Sequence, residues 1–172
     1  MAHETEALTV EGIRVANHDD KLLAQFVERF EPPAIRVDAG DATALDHIYQ
    51  QLPARLPKLY ERLLLTFLWD DVELPSLLLL GNPGLDELLT SLLYDPYLTE
   101  TLLPNGFISF GRAPGGGYDP ICFNTRARAG RYDCQIVRMD HEDILCNSRL
   151  RIREIVAPSF RALIQLSRAG PG

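Results

Sequence analysis

The sequence predicts an α+β fold in which helices flank a small, mostly antiparallel sheet. Apolar residues recur at helical spacing through the first half of the chain, whereas short apolar segments bounded by Gly, Pro, Asn or Asp follow Pro104. The chain has 172 residues, of which 46% are hydrophobic, and this supplies enough apolar surface for the core of one domain. We therefore expect a single domain over residues 1–172, centred on a strand, a glycine-rich loop and a second strand within 107–123.

Four helical segments are predicted before the sheet. Each has apolar residues three and four positions apart, which gives a helix one buried stripe. They follow Asp20, cover 45–52, run from Pro57 through Trp69, and cover 85–93. Residues 8–15 alternate and predict an edge strand, residues 35–37 predict a brief strand, and periodicity leaves the state of 77–80 open.

The second half of the chain predicts short antiparallel strands and one closing helix. The strand segments are 107–110, 121–123 and 134–139, and they are rich in Ile, Val and Phe. The segment 126–133 contains Gly130 and is typical of a hairpin connection. Ser159 is a favourable cap for a helix that places Phe160 and Leu163 on one side.

The charge of the chain argues against two classes of partner. Lys and Arg number 17 against 24 Asp and Glu, which gives a net charge of -7. Because phosphates would be repelled, we expect neither nucleic acid nor an anionic membrane as a partner. A basic protein partner is favoured by the same charge, although an acidic surface also serves solubility alone.

The N-terminus and the cysteines indicate a cytoplasmic protein. The N-terminus carries acids where a signal peptide carries positive charge, and no apolar run is long enough to span a bilayer. Cys122, Cys134 and Cys146 are widely spaced, with no His at ligand spacing. Buried free thiols are expected in preference to a disulfide or a metal site.

The glycine-rich segment 111–117 invites comparison with phosphate-binding loops, whose glycines let backbone N–H groups approach an anion. A P-loop needs Lys and then Ser or Thr after its last glycine, but Tyr118 and Asp119 stand there. A dinucleotide fingerprint needs a helix next, whereas 119–121 is typical of a strand. We expect these glycines to shape a bent connection.

The densest titratable cluster is Asp140-His141-Glu142-Asp143. A His beside carboxylates suits general acid-base chemistry or metal binding. If the cluster continues a strand, Asp140 and Glu142 share one side while His141 points away, which is poor geometry for one compact site. A solvated strand end or a partner-facing acidic rim is therefore expected in preference to catalysis, and no catalytic or metal-binding residue is assigned.

Several short motifs occur in an order that carries a family resemblance. They are Leu56-Pro57 with Tyr60, Phe67-Leu68, Phe110-Gly111 with Gly116-Gly117 and Asp119, Ile136-Val137, Asp140-His141-Glu142, and Ser159-Phe160 with Leu163. In this order, over about 45–166, they resemble the SUKH superfamily, which groups bacterial toxin-immunity proteins with a fungal regulator of cell-wall synthesis. The resemblance implies a SUKH-like α+β fold, no cofactor, and a role in binding another protein, and it carries no catalytic residue across.

Two segments depart from the family pattern. One is an N-terminal extension over about 1–41, and the other is a leucine-rich insertion over 74–103. Both leave the identity of the partner open, and the sequence does not decide the oligomeric state.

The leading hypothesis is a non-catalytic protein-binding module of the bacterial immunity type. It would bind and neutralise a toxin domain, for which a basic domain is the natural partner, through a surface made of Tyr118, Asp119, Asp140, Glu142 and Asp143. Two alternatives stay open. One is an intracellular adaptor that binds a housekeeping protein, and the other is a metal-dependent hydrolase or nuclease that uses the His141 cluster.

Overall fold

A computed structural model describes residues 17–168, which form seven α-helices and eight β-strands. The helices are His18–Val27 (α1), Asp46–Tyr49 (α2), Lys58–Thr66 (α3), Leu88–Leu92 (α4), Pro96–Leu102 (α5), His141–Asn147 (α6) and Phe160–Arg168 (α7). The strands are Ile35–Arg36 (β1), Phe67–Leu68 (β2), Val72–Glu73 (β3), Leu78–Leu79 (β4), Phe107–Arg112 (β5), Pro120–Arg128 (β6), Cys134–Met139 (β7) and Ile152–Ala157 (β8). The α+β class expected from the sequence is confirmed.

Six strands form one antiparallel sheet in the order β3-β4-β5-β6-β7-β8. β1 and β2 form a separate antiparallel pair. Each strand of the large sheet thus lies beside its neighbour in sequence, so that the beginning of β6 adjoins the end of β7. β8 lies at one edge of the sheet.

The large sheet has a buried core on each face. Ile121 and Phe123 on β6 point into a core shared with α1, α3 and α7, and we call this side the α3 face. Cys122, between them, points into a second core with Leu98 of α5 and Ile144 of α6, and we call that side the α5 face. The alternation of neighbouring side chains therefore places helices on both sides of the sheet.

Aromatic rings fill the centre of the core on the α3 face. The rings of Phe110 and Phe123 stack with 3.9 Å between centroids. The rings of Tyr60 and Phe160 lie 5.0 and 5.8 Å from Phe123. Tyr60 and Phe160 come from α3 and α7, so this cluster joins two helices to two central strands.

The third predicted helix ends earlier than expected. The sequence pattern carries it through Trp69, but α3 ends at Thr66, and the next two residues form β2, which pairs with β1. The side-chain amide of Asn82, which is fully buried, donates to the carbonyls of Leu64 and Phe67 at 3.0 and 2.7 Å. Asn82 satisfies the end of the helix from a distant part of the chain, and the local pattern contains no sign of that.

The elements that were not predicted from the sequence include α5 and β8. α5 begins at Pro96, where the carboxylate of Asp95 accepts from the backbone N–H groups of Tyr97 and Leu98. The pair Asp95-Pro96 is a helix start signal, but it also follows the helix predicted over 85–93 and marks the end of that helix. β8 has four exposed residues in succession, so it lacks the alternation of a half-buried strand.

The remaining predictions concern two short segments, the cysteines and membrane-spanning helices. The segment 77–80, whose state periodicity left open, contains strand β4, and the edge strand expected over 8–15 lies outside the described residues. Cys122 and Cys134 are buried free thiols as expected, whereas Cys146 is free but exposed. None of the helices within 17–168 combines the length and the apolar character needed to cross a membrane.

Candidate functional site

The five predicted surface residues meet at one end of the sheet. Tyr118 and Asp119 directly precede β6, and Asp140 directly follows β7. Because β6 and β7 are antiparallel neighbours, with Ile121 opposite Arg138, the two segments lie side by side.

Asp119 is the centre of the arrangement. Its Oδ1 accepts from the Nδ1 and the backbone N–H of His141 at 2.6 and 3.1 Å. Its Oδ2 accepts from Nε of Arg138 at 2.7 Å and lies 3.2 Å from Nη1 of Arg153. A carboxylate that is ionised can only accept, so the Nδ1 atom of His141 carries its hydrogen.

Asp140 extends the same arrangement. Its Oδ2 accepts from Nε of Arg153 at 2.8 Å, so that one guanidinium bridges the two buried carboxylates. Its Oδ1 accepts from the backbone N–H of Asp143 at 3.1 Å. We call Asp119, Arg138, Asp140, His141 and Arg153 the Asp119 network.

The expected strand geometry of residues 140–143 is wrong. Asp140 is the N-cap of α6, and His141, Glu142 and Asp143 form its first turn. In a helix start of this kind, the backbone turns back toward Asp119, so both the ring and the backbone N–H of His141 reach that carboxylate. His141 therefore belongs to the network instead of pointing away from it.

Burial separates the five predicted residues into two groups. The side chains of Asp119 and Asp140 are 2% and 5% exposed, so neither is part of an exposed acidic surface. Tyr118 is 71% exposed, Glu142 is exposed, and Asp143 is partly exposed. The acidic surface that was expected is thereby reduced to Glu142 and Asp143, beside the ring of Tyr118.

The network keeps both buried carboxyl groups ionised. Burial acts to raise the pKa of Asp119, but the hydrogen bonds from His141 and Arg138 and the charge of Arg153 outweigh it and leave the pKa below its usual value. The hydrogen bond from Arg153 likewise lowers the pKa of Asp140. Two negative charges are thus held in place by positive groups instead of being neutralised by protons.

Arg138 and Arg153 were missed by sequence reasoning. Arg138 stands in the mainly apolar segment of β7, and Arg153 lies in the strand that was not predicted. A charged residue among apolar strand residues favours a nearby partner of opposite sign, and for Arg138 that was the available signal. The partner itself depends on the register of β6, β7 and β8.

The glycine-rich loop follows the expectation that its glycines serve shape. Gly115 and Gly116 have φ of 70° and 79°, which side chains rarely adopt. The N–H of Gly115 donates to Oε1 of Glu73 at 2.8 Å. The loop is therefore joined to β3 through a carboxylate of the protein itself.

A groove lies away from the Asp119 network. It has a volume of about 850 Å³ and lies between α1, α3 and the segment 36–42. Arg62 and Asp20 form a bidentate ion pair along it, with N–O distances of 2.6 and 2.8 Å. None of the five predicted surface residues lines this groove.

Within residues 17–168, no three His, Cys, Asp or Glu side chains are arranged to hold a metal ion. Comparison with known proteins adds no relative: no protein-family model matches the chain, and no curated protein matches it significantly.

Proposed function

We propose that the protein is a non-catalytic protein-binding module and that it binds its partner through the surface around Tyr118. The observation that carries this proposal is the position of Tyr118. Tyr118 is 71% exposed, and its ring lies 5.8 Å, centroid to centroid, from the ring of His141, which is held by the buried Asp119. An aromatic side chain exposed on a rigid support is a frequent anchor of protein interfaces.

The Asp119 network supports this proposal through pre-organisation. Its contacts fix the beginning of β6, the end of β7 and the first turn of α6 relative to one another. A surface that is already ordered loses less conformational entropy when a partner binds. Tyr118 and Glu142 therefore extend from a platform that does not need to rearrange.

The resemblance to the SUKH superfamily suggests the class of partner. We propose an immunity-type role in the bacterial cytoplasm, in which the module covers and neutralises a toxin domain. The charge of -7 and the exposed carboxylate of Glu142 favour a basic toxin domain. Association with such a partner would be faster at low ionic strength.

Affinity capture from the native cell tests the proposal. The full chain, Tyr118→Ala and Glu142→Lys serve as baits, and captured proteins are identified and reconstituted with the purified bait. Tyr132→Ala is the matched control, because Tyr132 is 54% exposed and lies in the connection at the opposite end of β6 and β7. We expect wild type and Tyr132→Ala to capture the same protein and Tyr118→Ala to lose it.

The nature of the captured protein then decides between the roles. A captured domain whose expression stops growth, and whose toxicity is relieved by wild type but not by Tyr118→Ala, supports the immunity role. A housekeeping protein captured in the same Tyr118-dependent way supports the adaptor instead. Capture that is equal for wild type and Tyr118→Ala contradicts the proposed surface.

One contact favours a second candidate, a hydrolase or nuclease. The Nδ1 of His141 is 2.6 Å from Oδ1 of Asp119, which is the kind of contact that orients a general base. Purified protein would be assayed on DNA, RNA and p-nitrophenyl phosphate with Mg²⁺ or Zn²⁺ added. Turnover that is lost in His141→Ala and kept in Tyr132→Ala would support catalysis, and its absence from all samples favours the binding module.

A further inference from the structure

β8 is the exposed strand at one edge of the large sheet. It is the last strand of the sheet, and within residues 17–168 no other strand pairs with its outer side. Its apolar residues Ile152 and Ile155 are 43% and 59% exposed. An edge strand with exposed apolar side chains is a template for pairing with a strand of another chain.

The two isoleucines lie on the same face of the sheet. Ile152 is opposite Met139 and Ile155 is opposite Val137, and both of these β7 residues belong to the core of the α5 face. Residues three apart in a regular strand point to opposite faces. A register shift between Arg138 and Met139 leaves Arg153 as an extra residue of β8, and this bulge brings Ile152 and Ile155 to one face.

The two residues between the isoleucines lie on the other face and have opposite charges. Glu154 is opposite Arg138, and the guanidinium of Arg153 shares Asp119 with Arg138. Along β8, Ile152 and Ile155 therefore lie on the α5 face, and the positive Arg153 and the negative Glu154 lie between them on the α3 face. In an antiparallel copy of β8 the order is reversed, so an isoleucine faces an isoleucine and each charge faces the opposite charge.

We propose that β8 pairs with β8 of a second copy of this chain, antiparallel, about a twofold axis between Arg153 and Glu154. In this register, Ile152 lies opposite Ile155 of the second copy on the α5 face. Arg153 lies opposite Glu154 of the second copy on the α3 face, and each contact occurs twice. The two large sheets then form one continuous sheet across the dimer.

Charge selects this register over its neighbours. A shift by one position in either direction places Arg153 opposite Arg153 or Glu154 opposite Glu154, and like charges directly opposite each other destabilise a pair of strands. Charged residues on an edge normally prevent self-pairing. Here the edge carries one residue of each sign, so the same charges favour one self-complementary register.

The contacts of Arg153 within the Asp119 network leave it able to bind Glu154 of the second copy as well. Its Nε and Nη1 are directed at Asp140 and Asp119, and its side chain is 38% exposed. A guanidinium has five N–H donors, so a further carboxylate can be accommodated. Glu154 is exposed, and a β8 pairing gives its carboxylate a defined partner.

The oligomeric state tests the interface. Sedimentation equilibrium of the full chain should show a concentration-dependent dimer, and Glu154→Arg should raise its dissociation constant at least tenfold, because Arg then faces Arg153. Glu100→Arg is the control, since it makes the same charge change at an exposed position of α5 and should leave the constant unchanged. Wild type that stays monomeric at millimolar concentration, or equal effects of both variants, overturns the proposal.

Cysteine pairing tests the register. In a Cys146→Ser background, Ile152→Cys and Ile155→Cys are prepared separately and oxidised alone and mixed. In the proposed register, position 152 adjoins position 155 of the second copy but lies about 10 Å, three residues along the strand, from position 152. Disulfides require Cα atoms within about 7 Å, so covalent dimers should form in the mixture and not in either variant alone.

Other results of the cysteine experiment contradict the proposal. Covalent dimers formed equally by either variant alone indicate another register or random collision. The chain with only Cys146 exposed measures the rate of random collision, since this thiol lies on α6 and not on β8. A dimer in sedimentation without any disulfide in the mixture places the interface elsewhere.

Discussion

Asp119 accepts contacts from three side chains and one backbone N–H although its side chain is only 2% exposed. A buried carboxylate destabilises a fold unless such partners surround it. Its removal in turn leaves the positive charges of Arg138 and Arg153 without this partner. Arg138 and Arg153 are 32% and 38% exposed, which lets water compensate part of the loss. The residue thus stabilises the fold chiefly by keeping three cationic or polar side chains in one arrangement.

Replacing Asp119 with Asn removes its charge at nearly constant volume. We expect the free energy of unfolding at pH 7 to fall by about 3 kcal/mol, the lower end of the range for breaking a buried ion pair. Urea denaturation measures this loss. Asp38→Asn is the matched control, because Asp38 pairs with Arg36 on the surface, where both side chains are more than 60% exposed, and should cost less than about 1 kcal/mol. Equal losses in the two variants would show that the network is not a stabilising feature.

The network also predicts how stability depends on pH. The pKa of Asp119 and that of Asp140 are lower in the folded protein than in the unfolded chain, so their contribution is complete above the unfolded pKa of about 4. It is lost as pH falls through the folded pKa values, because the unfolded chain then binds protons first. Urea denaturation between about pH 6 and pH 2 should show a steep loss in wild type and a shallower one in Asp119→Asn. Parallel curves for the two proteins would contradict this origin of acid sensitivity.

At the scale of elements, local patterns predicted most helices but not their contacts. The apolar stripes of α1 and α3 are local, so spacing alone revealed them. The end of α3 depends on Asn82, which is distant in sequence from the carbonyls that it satisfies. The helix start at Asp140 did have a local signal, since Asp140 precedes two acids in a first turn, but the preceding strand pattern obscured it.

Asn82→Ala tests how the end of α3 is held. The substitution leaves the carbonyls of Leu64 and Phe67 without their buried donor, and we expect a loss of about 2 kcal/mol in the free energy of unfolding. Asn105→Ala is the control, because Asn105 makes one comparable bond, to the carbonyl of Thr101, at a half-buried position. That variant should lose less than about 1 kcal/mol in the same urea titration. A smaller effect at Asn82 than at Asn105 would refute this account of the helix end.

At the scale of the whole molecule, the sequence predicted the fold class and which acidic residues lie together, but not the arginines that pair with them. Tyr118, Asp119 and the cluster 140–143 do meet, because antiparallel strands that follow one another in sequence place their near ends together. The pairing of Asp119 with Arg138 and Arg153 required the register of three strands. Local periodicity contains no information on strand register. The sequence therefore did not reveal that the positive charges of Arg138 and Arg153 balance the negative charges of Asp119 and Asp140.

The reactivity of the cysteines shows whether the cores on the two faces of the sheet become exposed to solvent together. Cys146 is exposed, whereas Cys122 lies in the core of the α5 face and Cys134 in the core of the α3 face. Burial raises the pKa of the Cys122 thiol, and burial with the charge of Asp133 raises that of Cys134 to about 12. Neither buried thiol forms a reactive thiolate without local or global opening.

Thiol labelling in native buffer should therefore show one rapid and two slow reactions. We expect Cys122 and Cys134 to react at the same slow rate with the same dependence on urea, because β6 and β7 are central strands and each is buried on both faces. Cys146→Ser should remove the rapid reaction alone. Mass spectrometry of labelled peptides assigns each rate to its cysteine. Faster labelling of Cys122 than of Cys134 would instead show that the α5 and α6 layer opens while the core against α3 stays closed, and the molecule would then unfold in two steps.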